Sequence, residues 1–317
     1  MDVVNRDYRP KYKKQILELF RKTYDKEMTK EFWNWRFEKY PFKQSLIRLS
    51  FFDEQLVAHY LLQPAKLLFK SCEIDALYSM TTMTDPNFSG QGLMTKLANE
   101  VYDIGRKLNY RFVYGFANRN SNYMFSKKLG FKTIVMPEFS IDVKNNSTTN
   151  SDYTCSDICN FDDSYSNFYE KYNKKYAHKI MRDRTADYMN WRFIRHPENK
   201  YKCYMISLNG ETMGYFVLKN YNNIKCHIVD FLITDDPYCY DSMITTAINF
   251  CKNNGIKELT LWMNKTLSLY DHLSKMGLTE NLMENYLVIK SLSPNIDLSE
   301  IEKIDNWYLT MADSDVY

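Results

Sequence analysis

The order of hydrophobic and polar positions predicts two similar successions of helices and strands. In the first part of the chain, apolar residues spaced as on one helix face predict an amphipathic helix around residues 16–20 and another around Trp35. Typical strand and helix patterns then follow as strand 46–52, strand 56–62, strand 76–84, helix 92–107, strand 111–117, short helix 121–129 and strands after Phe131.

The second part of the chain repeats this order. Asn209-Gly210 joins two strand-like runs, which is a β-hairpin signal. The predicted elements are strands 202–208, 212–218 and 225–234, helix 241–253, strand 256–262, helix 267–275 and strand 284–290. Both parts therefore predict a mixed α/β fold with mostly antiparallel sheets.

A short repeat indicates that the two parts arose by duplication. The segment Asn-Trp-Arg-Phe at 34–37 returns at 190–193, and a proline follows each copy at the same distance. The period is much longer than that of a solenoid repeat and matches the length of a domain. Because Trp and Arg recur in both copies, we expect them to have a structural role.

The repeat divides the chain into four predicted parts. These are an N-terminal domain at 1–144, a linker at 145–156, a second domain at 157–292 and a C-terminal tail at 293–317. The linker is polar and has no periodicity. Because the tail carries Trp, Tyr, Leu and Met before two acids, we expect it to be docked near the functional site, whereas most tails are frayed.

Composition excludes several classes of protein. A net charge of +3 over 317 residues without a long basic block disfavours a nucleic-acid binder. No run of about 18 apolar residues predicts a membrane-spanning helix, and the first residues do not form a signal peptide. The seven scattered cysteines lack zinc spacing, so we expect free thiols, no metal and a cytoplasmic location. A monomer and a homodimer both remain open.

A glycine-containing turn is the strongest candidate for a binding site. The strand that ends at Thr84 runs into a turn with Gly90 and Gly92, and a helix begins at Leu93. Glycines allow the backbone to approach a phosphate closely, and unpaired N–H groups at a helix N-terminus point at the anion. Two glycines alone more often indicate only a turn.

The wider context makes this turn more specific. The segment 87–92 resembles motif A of the GNAT acetyltransferase superfamily, and Asn118 through Phe131, with Lys128-Leu129-Gly130-Phe131 at its end, resembles motif B. Together the motifs cover roughly residues 45–140. The repeated Trp-Arg-Phe segment, the phrase at 83–86 and the chain's ending resemble a tandem-domain subgroup associated with surface-polysaccharide synthesis. The resemblance implies two tandem GNAT-like domains and acetyl-CoA or another acyl-CoA as co-substrate.

The resemblance also implies which residues hold the cofactor. The pantetheine arm would run along the end of the strand and reach the side chain that follows the next strand, while the turn would bind the diphosphate. The implied residues are Thr82, Met83, Thr84, Phe88, Ser89, Gly90, Gln91, Gly92, Leu93, Met94, Asn118 and Lys127. Asn87 and Ser89 depart from the pattern, which usually has Gln or Arg and then Arg there, so less side-chain charge faces the diphosphate.

The corresponding stretch of the second copy lacks both glycines. It carries Asp235, Asp236 and Asp241 near the position of a diphosphate. Side chains block the approach of the backbone, and like charges repel. We therefore predict no acyl-CoA site in the second copy.

The catalytic residues are less clear from the sequence. The family's usual acid is a tyrosine where this chain has Ser126, which is a poorer proton donor, and Tyr123 lies one helical turn earlier. Candidates for the base are Asp313, Asp315 and the terminal carboxylate of Tyr317, with a packed tail as the equal alternative. The remaining candidates, for the base or for contacts with the acceptor, are His59, Tyr78, Tyr114 and Tyr317, although strand residues of these types are more often structural.

Three functions remain open. The first is acyl transfer to the amine of a small polar acceptor, such as a nucleotide-linked amino sugar. The second is acylation of an antibiotic, a peptide or a polyamine. The third is a non-catalytic acyl-CoA sensor, which the missing tyrosine favours.

Overall fold

A computed structural model describes residues 2–144, 151–281, 285–293 and 297–317. Most neighbouring strands pair antiparallel. The strands are β1 (Val4–Asp7), β2 (Leu46–Phe52), β3 (Gln55–Phe69), β4 (Cys72–Thr84), β5 (Phe112–Asn118), β6 (Lys132–Val135), β7 (Glu138–Asp142), β8 (Thr154–Ile158), β9 (Met181–Arg182), β10 (Tyr201–Leu208), β11 (Glu211–Tyr221), β12 (Lys225–Ile233), β13 (Glu258–Trp262), β14 (Thr279–Asn281) and β15 (Asn285–Ser291).

The helices are α1 (Lys13–Tyr24), α2 (Lys30–Trp33), α3 (Leu93–Lys107), α4 (Arg119–Tyr123), α5 (Asp163–Lys175), α6 (Ala186–Met189), α7 (Pro237–Asn253) and α8 (Ser268–Ser274). They include the predicted ones, together with α5 and α6, which were not predicted. The predicted mixed α/β class is confirmed, and so is the hairpin at Asn209-Gly210, where both residues have positive φ.

The chain forms two compact units. The first comprises Met1–Leu67, Ile74–Val135 and Asn285–Glu302, and its sheet has the order β1-β2-β3-β4-β5-β15-β6. The second comprises Leu68–Glu73, Met136–Glu284 and Lys303–Tyr317, and its sheet has the order β14-β7-β13-β12-β11-β10-β8.

These units differ from the predicted boundaries at 144 and 292. Strand β15 was expected in the second domain, but it pairs with β5 and β6 and belongs to the first unit. Strand β7 was expected in the first domain, but it pairs with β13 and β14 and belongs to the second. Residues 145–150 of the predicted linker lie outside the described residues, and β8 begins within its remainder, at Thr154.

The repeated Trp-Arg-Phe segment has the same backbone in both copies. A short α-helix, α2 or α6, continues into a π-helical turn, at Asn34–Glu38 and at Asn190–Ile194. In each turn an amide donates to a carbonyl five residues earlier, from Lys39 to Asn34 at 2.7 Å and from Arg195 to Asn190 at 2.8 Å. The Trp and Arg side chains are buried in both copies, in keeping with the structural role expected for them.

The core of the first unit lies between α3 and the sheet. The apolar face of α3 includes Leu97, Val101 and Tyr102, which pack with Leu77 and Val113 of β4 and β5. This packing fixes the N-terminal end of α3 relative to β4, and so places the glycine turn at the end of that strand.

Candidate functional site

The site begins where β4 and β5 separate. These strands pair in parallel only at Leu77–Val113, Tyr78–Tyr114 and Ser79–Gly115. β4 continues to Thr84 and β5 to Asn118, so the last residues of the two strands do not pair with each other, which leaves an opening between them. Strand edges carry N–H and C=O groups that need partners. An extended ligand with amide groups could therefore bind here, as the predicted pantetheine arm would.

A strained residue marks the start of the divergence. Thr81 has a φ of +49°, which is unusual for a β-branched residue. His59 on β3 holds this conformation, because its Nδ1 lies 2.8 Å from the carbonyl oxygen of Thr81. Burial lowers the pKa of His59 to about 4, an effect that the bond to Thr81 only partly offsets. The imidazole is therefore neutral at pH 7 and donates from Nδ1.

His59 thus differs from the expectation that it faces the acceptor. Its side chain is 0% exposed. In the described part of the chain, its Nε2 has no hydrogen-bond partner. The structure places His59 behind the opening as a support for the backbone of β4, not in contact with solvent.

A buried carboxylate holds the turn that follows β4. Asp85 is 1% exposed, and its Oδ1 accepts from the backbone N–H of Asn87 at 3.0 Å. Its Oδ2 accepts from Lys22 Nζ at 3.2 Å and from Gln55 Nε2 at 3.4 Å. The sequence analysis did not single out Asp85, Lys22 or Gln55. An acid directly before a proline that opens a turn is a capping signal that could have revealed Asp85.

The two glycines lie in the conformation that such a turn requires. Gly90 and Gly92 both have a φ of +77°, and Gly92 is the residue before α3. A Cβ atom built on either would have no atom within 4 Å, so both face open space. The first N–H groups of α3 have no intrahelical partner. The turn and the helix start thus form a backbone cradle suited to an anion.

The other residues predicted for the cofactor surround these features. Ser89 and Gln91 are exposed in the turn, and Phe88 packs on Phe52 with ring centroids 5.4 Å apart. Leu93 is buried and Met94 half-buried in the core beneath the turn. Those two therefore anchor the helix start.

The end of α1 supplies a contact that the sequence analysis missed. Tyr24 donates its hydroxyl to the carbonyl of Thr82 at 2.6 Å, and the hydroxyl of Thr23 donates to the carbonyl of Thr84 at 3.5 Å. Thr82 and Thr84 belong to the part of β4 beyond its last pair with β5. Tyr24 is 41% exposed, so it lies at the surface beside the opening. Tertiary packing places α1 there, and no local pattern in the sequence indicates it.

Asn118 lies across the opening, at the end of β5. Its Oδ1 accepts from the N–H of Ser121 at 3.0 Å and caps α4. Because this bond fixes the side-chain oxygen of Asn118, it also fixes the direction of the side-chain N–H₂ group. The placement agrees with a side chain that reaches a ligand from the end of the strand.

The candidate acids lie on the segment after Asn118. Ser126 lies in a π-helical turn, Met124–Lys128, and its hydroxyl donates to the carbonyl of Asn122 at 2.8 Å. Its proton is therefore already engaged. Tyr123 is 63% exposed, and Lys127 is also exposed.

Tyr78 and Tyr114 do not lie in an open pocket. Both are buried in the first unit, with ring centroids 5.2 Å apart. Their burial agrees with the structural alternative for aromatic strand residues and disfavours the expected contact with the acceptor.

Asp313 is part of a buried ion cluster in the second unit. It is 3% exposed, its Oδ2 lies 3.2 Å from Arg184, and it accepts from the backbone N–H of Thr310 at 2.9 Å. Arg184 also pairs with Asp230 at 3.1 Å. This placement favours the packed-tail alternative for Asp313 and disfavours its expected role as a base.

The two other acidic candidates of the tail have different surroundings. Asp315 is exposed. The ring of Tyr317 packs edge-on against Trp262 and His227, and its main-chain oxygen accepts from Arg192. Burial raises the pKa of the Tyr317 phenol above its ordinary value. Tyr317 is thus engaged within the second unit.

Comparison with known proteins identifies the first part of the chain. Residues 5–134 match a family model described as an acetyltransferase (GNAT) domain. The match covers less than half of the chain, and it shows that this part is similar to GNAT acetyltransferases, a class that uses acetyl-CoA or another acyl-CoA. A search of curated proteins gives no match.

Solved structures extend the GNAT fold to both units. A probable N-acyltransferase from Enterococcus faecalis V583 aligns with a TM-score of 0.74 and 14% identity over 92% of this chain and 72% of its own. A GCN5-related N-acetyltransferase from Anabaena variabilis aligns with a TM-score of 0.71 and 12% identity over 92% and 73%. A tandem GNAT protein from the clavulanic acid biosynthesis pathway has a TM-score of 0.62 and 8% identity over 93% and 100%. The fold is therefore that of two tandem GNAT-like domains.

The described ranges contain no helix with the length and apolar composition needed to cross a membrane. Within the same ranges, no three His, Cys, Asp or Glu side chains gather as a metal site would require.

Proposed function

We propose that the first unit binds acyl-CoA and transfers its acyl group to the amine of a small polar acceptor. The backbone cradle at Gly90 and Gly92 carries this proposal, because it continues directly into the opening between β4 and β5. A diphosphate would lie at the N-terminus of α3, and the pantetheine arm would lie along Thr82, Met83 and Thr84. Asn118 would donate to the arm from the facing strand.

The reaction is a direct transfer. The neutral amine nitrogen attacks the thioester carbonyl, the C–S bond breaks, the amine loses one proton and the leaving thiolate takes up a proton. Hydrogen-bond donors that face the carbonyl oxygen stabilise the charge that develops there. Because the Ser126 proton is engaged with Asn122, we propose that water or another hydroxyl group, such as that of exposed Tyr123, protonates the thiolate.

The acceptor class is a finer proposal. The resemblance of the Trp-Arg-Phe segment and of the phrase at 83–86 to a subgroup associated with surface-polysaccharide synthesis supports a nucleotide-linked amino sugar. Because the second copy lacks the glycines, each chain would bind one cofactor. The protein would act as a monomer or a homodimer. Seven free cysteines favour a reducing compartment such as the cytoplasm.

Release of free thiol from acetyl-CoA tests the proposal. Nucleotide-linked amino sugars, polyamines, short peptides and aminoglycosides would be offered in turn. We expect turnover with an amino sugar. Turnover with another acceptor would exclude the amino sugar but keep the acyltransferase.

The alternative of an acyl-CoA sensor is favoured by the engaged hydroxyl of Ser126. Tight binding of acetyl-CoA without turnover on any amine would support it. Absence of both binding and turnover would exclude both proposals.

A further inference from the structure

The second unit has an opening that corresponds to that of the first. β12 and β13 pair in parallel over 225–228 and 258–261, and the last pair is Ile228–Leu261. β12 then continues to Ile233. In the first unit the last such pair is Ser79–Gly115. In the first unit, Thr82 and Asn118 lie three residues beyond the last pair, one on each side of the opening. In the second unit, the corresponding residues are Phe231 and Asn264.

The end of the chain fills this second opening. Tyr308 donates its hydroxyl to the carbonyl of Phe231 at 2.8 Å; in the first unit Tyr24 of α1 makes the corresponding bond to Thr82, so this contact is common to both units. Thr310 donates its hydroxyl to Asp230 Oδ1 at 2.7 Å. Residues 307–314 are all buried, although their regular structure is limited to one 3₁₀ turn and a β-bridge between Trp307 and Ile180. Because an irregular segment has few hydrogen bonds within itself, burial of eight consecutive residues requires a surface of the second unit that receives them.

Asn264 binds this segment from the facing strand. Its Nδ2 donates to the carbonyls of Ile304 at 2.7 Å and Trp307 at 3.2 Å. Its Oδ1 accepts from the N–H of Thr266 at 2.9 Å, as the Oδ1 of Asn118 accepts from that of Ser121 at 3.0 Å. The side-chain oxygens of the two asparagines therefore accept equivalent backbone hydrogen bonds. In the second unit, the side-chain N–H₂ group of Asn264 donates to the backbone of residues 304 and 307.

The start of the corresponding helix is also filled. Asp236 Oδ1 accepts from the N–H groups of Tyr238 at 2.8 Å and Cys239 at 3.2 Å at the N-terminus of α7. In the first unit Gly92 precedes α3, and no side chain caps that helix. A carboxylate of the protein thus takes the place that an anion would take.

We propose that residues 304–314 are a built-in occupant of the second unit's opening. They bind the surface that corresponds to the pantetheine track of the first unit, and Asp236 replaces the diphosphate. The comparison with pantetheine rests on the proposed function, whereas the docking of the segment does not. The second unit therefore keeps the separated strands of its fold without a cofactor.

Hydrogen–deuterium exchange of the full chain tests the docking. The probes are the amides of Tyr308, Asp313 and Ser314, which donate to Ile180, Thr310 and Met311 respectively. Because Asn264→Ala removes two hydrogen bonds to the segment, one of them buried, we expect these amides to exchange about tenfold faster.

The matched control is Asn118→Ala, which alters the corresponding residue of the first unit. It should leave exchange in residues 307–314 unchanged. Equal exchange in wild type and a folded Asn264→Ala would overturn the proposal. If Asn264→Ala unfolds globally, Tyr308→Phe, which removes only one hydroxyl, replaces it with the same expected direction.

Addition of acetyl-CoA separates this proposal from the function. We expect new protection around 90–95 and no change at 229–233 or 307–314. Protection at 229–233 together with faster exchange of the segment would show that the cofactor displaces it and would refute a built-in occupant. No protection anywhere would count against the proposed function alone.

Discussion

His59 Nδ1 lies 2.8 Å from the carbonyl oxygen of Thr81, the one residue of β4 with a positive φ. The bond joins a buried, neutral imidazole to a strained backbone at the point where β4 leaves β5. It fixes the direction of the carbonyl and N–H groups of the following residues. The shape of the proposed cofactor track therefore depends on a side chain that does not reach it.

Replacing His59 should affect stability and cofactor binding together. His59→Leu removes the donor for the Thr81 carbonyl, so we expect a loss of about 2 kcal/mol in the free energy of unfolding, from an unpaired buried acceptor. The KM for acetyl-CoA should rise because β4 relaxes. Urea unfolding and initial rates measure the two effects. A stable variant with unchanged KM would contradict this role.

Stability should fall on mild acidification. Burial lowers the pKa of both His59 and His227 to about 4, and for His227 Lys219 and Lys225 contribute further. Between pH 6.5 and 4, these histidines are therefore protonated in the unfolded state but neutral in the folded state. Their contribution to the free energy of unfolding is complete above pH 6.5 and is lost as the pH falls to about 4, by about 3 kcal/mol for His59 alone. Urea unfolding between pH 7 and 4.5 should show a shallower decline for His59→Leu than for wild type.

A side chain at Gly92 should block the cofactor more than it harms the fold. With a φ of +77° and no atom within 4 Å of a built Cβ, Gly92→Ala should cost about 1 kcal/mol of strain. Gly210→Ala is a matched control, because Gly210 has a φ of +83° and similarly open space in a hairpin of the second unit. Isothermal titration should show weaker acetyl-CoA binding for Gly92→Ala only. Gly92→Trp should abolish binding, and unaltered affinity in that variant would refute the placement of the diphosphate.

Loss of the Asp85 carboxylate should loosen the turn. Asp85→Ala removes the acceptor for Asn87 N–H, so we expect about 1 kcal/mol of destabilisation and a higher KM for acetyl-CoA. Asp236→Ala removes the comparable cap of α7 and should destabilise by a similar amount. Its KM should stay at the wild-type value. Equal changes of KM in both variants would mean that Asp85 acts through general stability.

Tyr24 should contribute to the cofactor track through its hydroxyl. Tyr24→Phe leaves the Thr82 carbonyl without this donor, and the loss of one hydrogen bond predicts a change of about fivefold in KM for acetyl-CoA. Tyr238→Phe, at an exposed tyrosine of the second unit, is the control. Identical kinetics for Tyr24→Phe and wild type would remove Tyr24 from the site.

Asp313 should matter for folding. Asp313→Ala leaves the buried guanidinium of Arg184 with one fewer carboxylate, and we expect a loss of about 3 kcal/mol. Asp315→Ala changes an exposed residue and should leave Tm nearly unchanged. Thermal unfolding distinguishes the two. If Asp313→Ala keeps its Tm but loses kcat, Asp313 would return as the candidate base.

Local patterns in the sequence placed many of the elements and the two glycines of the turn, but they missed α5 and β8. Hydrophobic periodicity placed β4, α3, α7 and the hairpin at Asn209-Gly210 within a few residues, because the period of 2 or 3.6 is set by the backbone itself. Gly90 and Gly92 were found for the same reason: a turn that needs positive φ at a helix start leaves glycines in the sequence.

Partners distant in the chain were decided only by tertiary structure. The sequence predicts β7 and β15 as strands, but an apolar pattern does not determine which sheet a strand will join. β7 pairs with β13 in the second unit and β15 pairs with β5 in the first, the reverse of the predicted domains. Likewise, the apolar tail was expected to be docked near the functional site, but the structure places Asp313 on Arg184 and Tyr308 on Phe231, within the second unit. Burial of His59 and the contact of Tyr24 with Thr82 also arise between residues more than 20 positions apart, where packing, and not local preference, selects the neighbour.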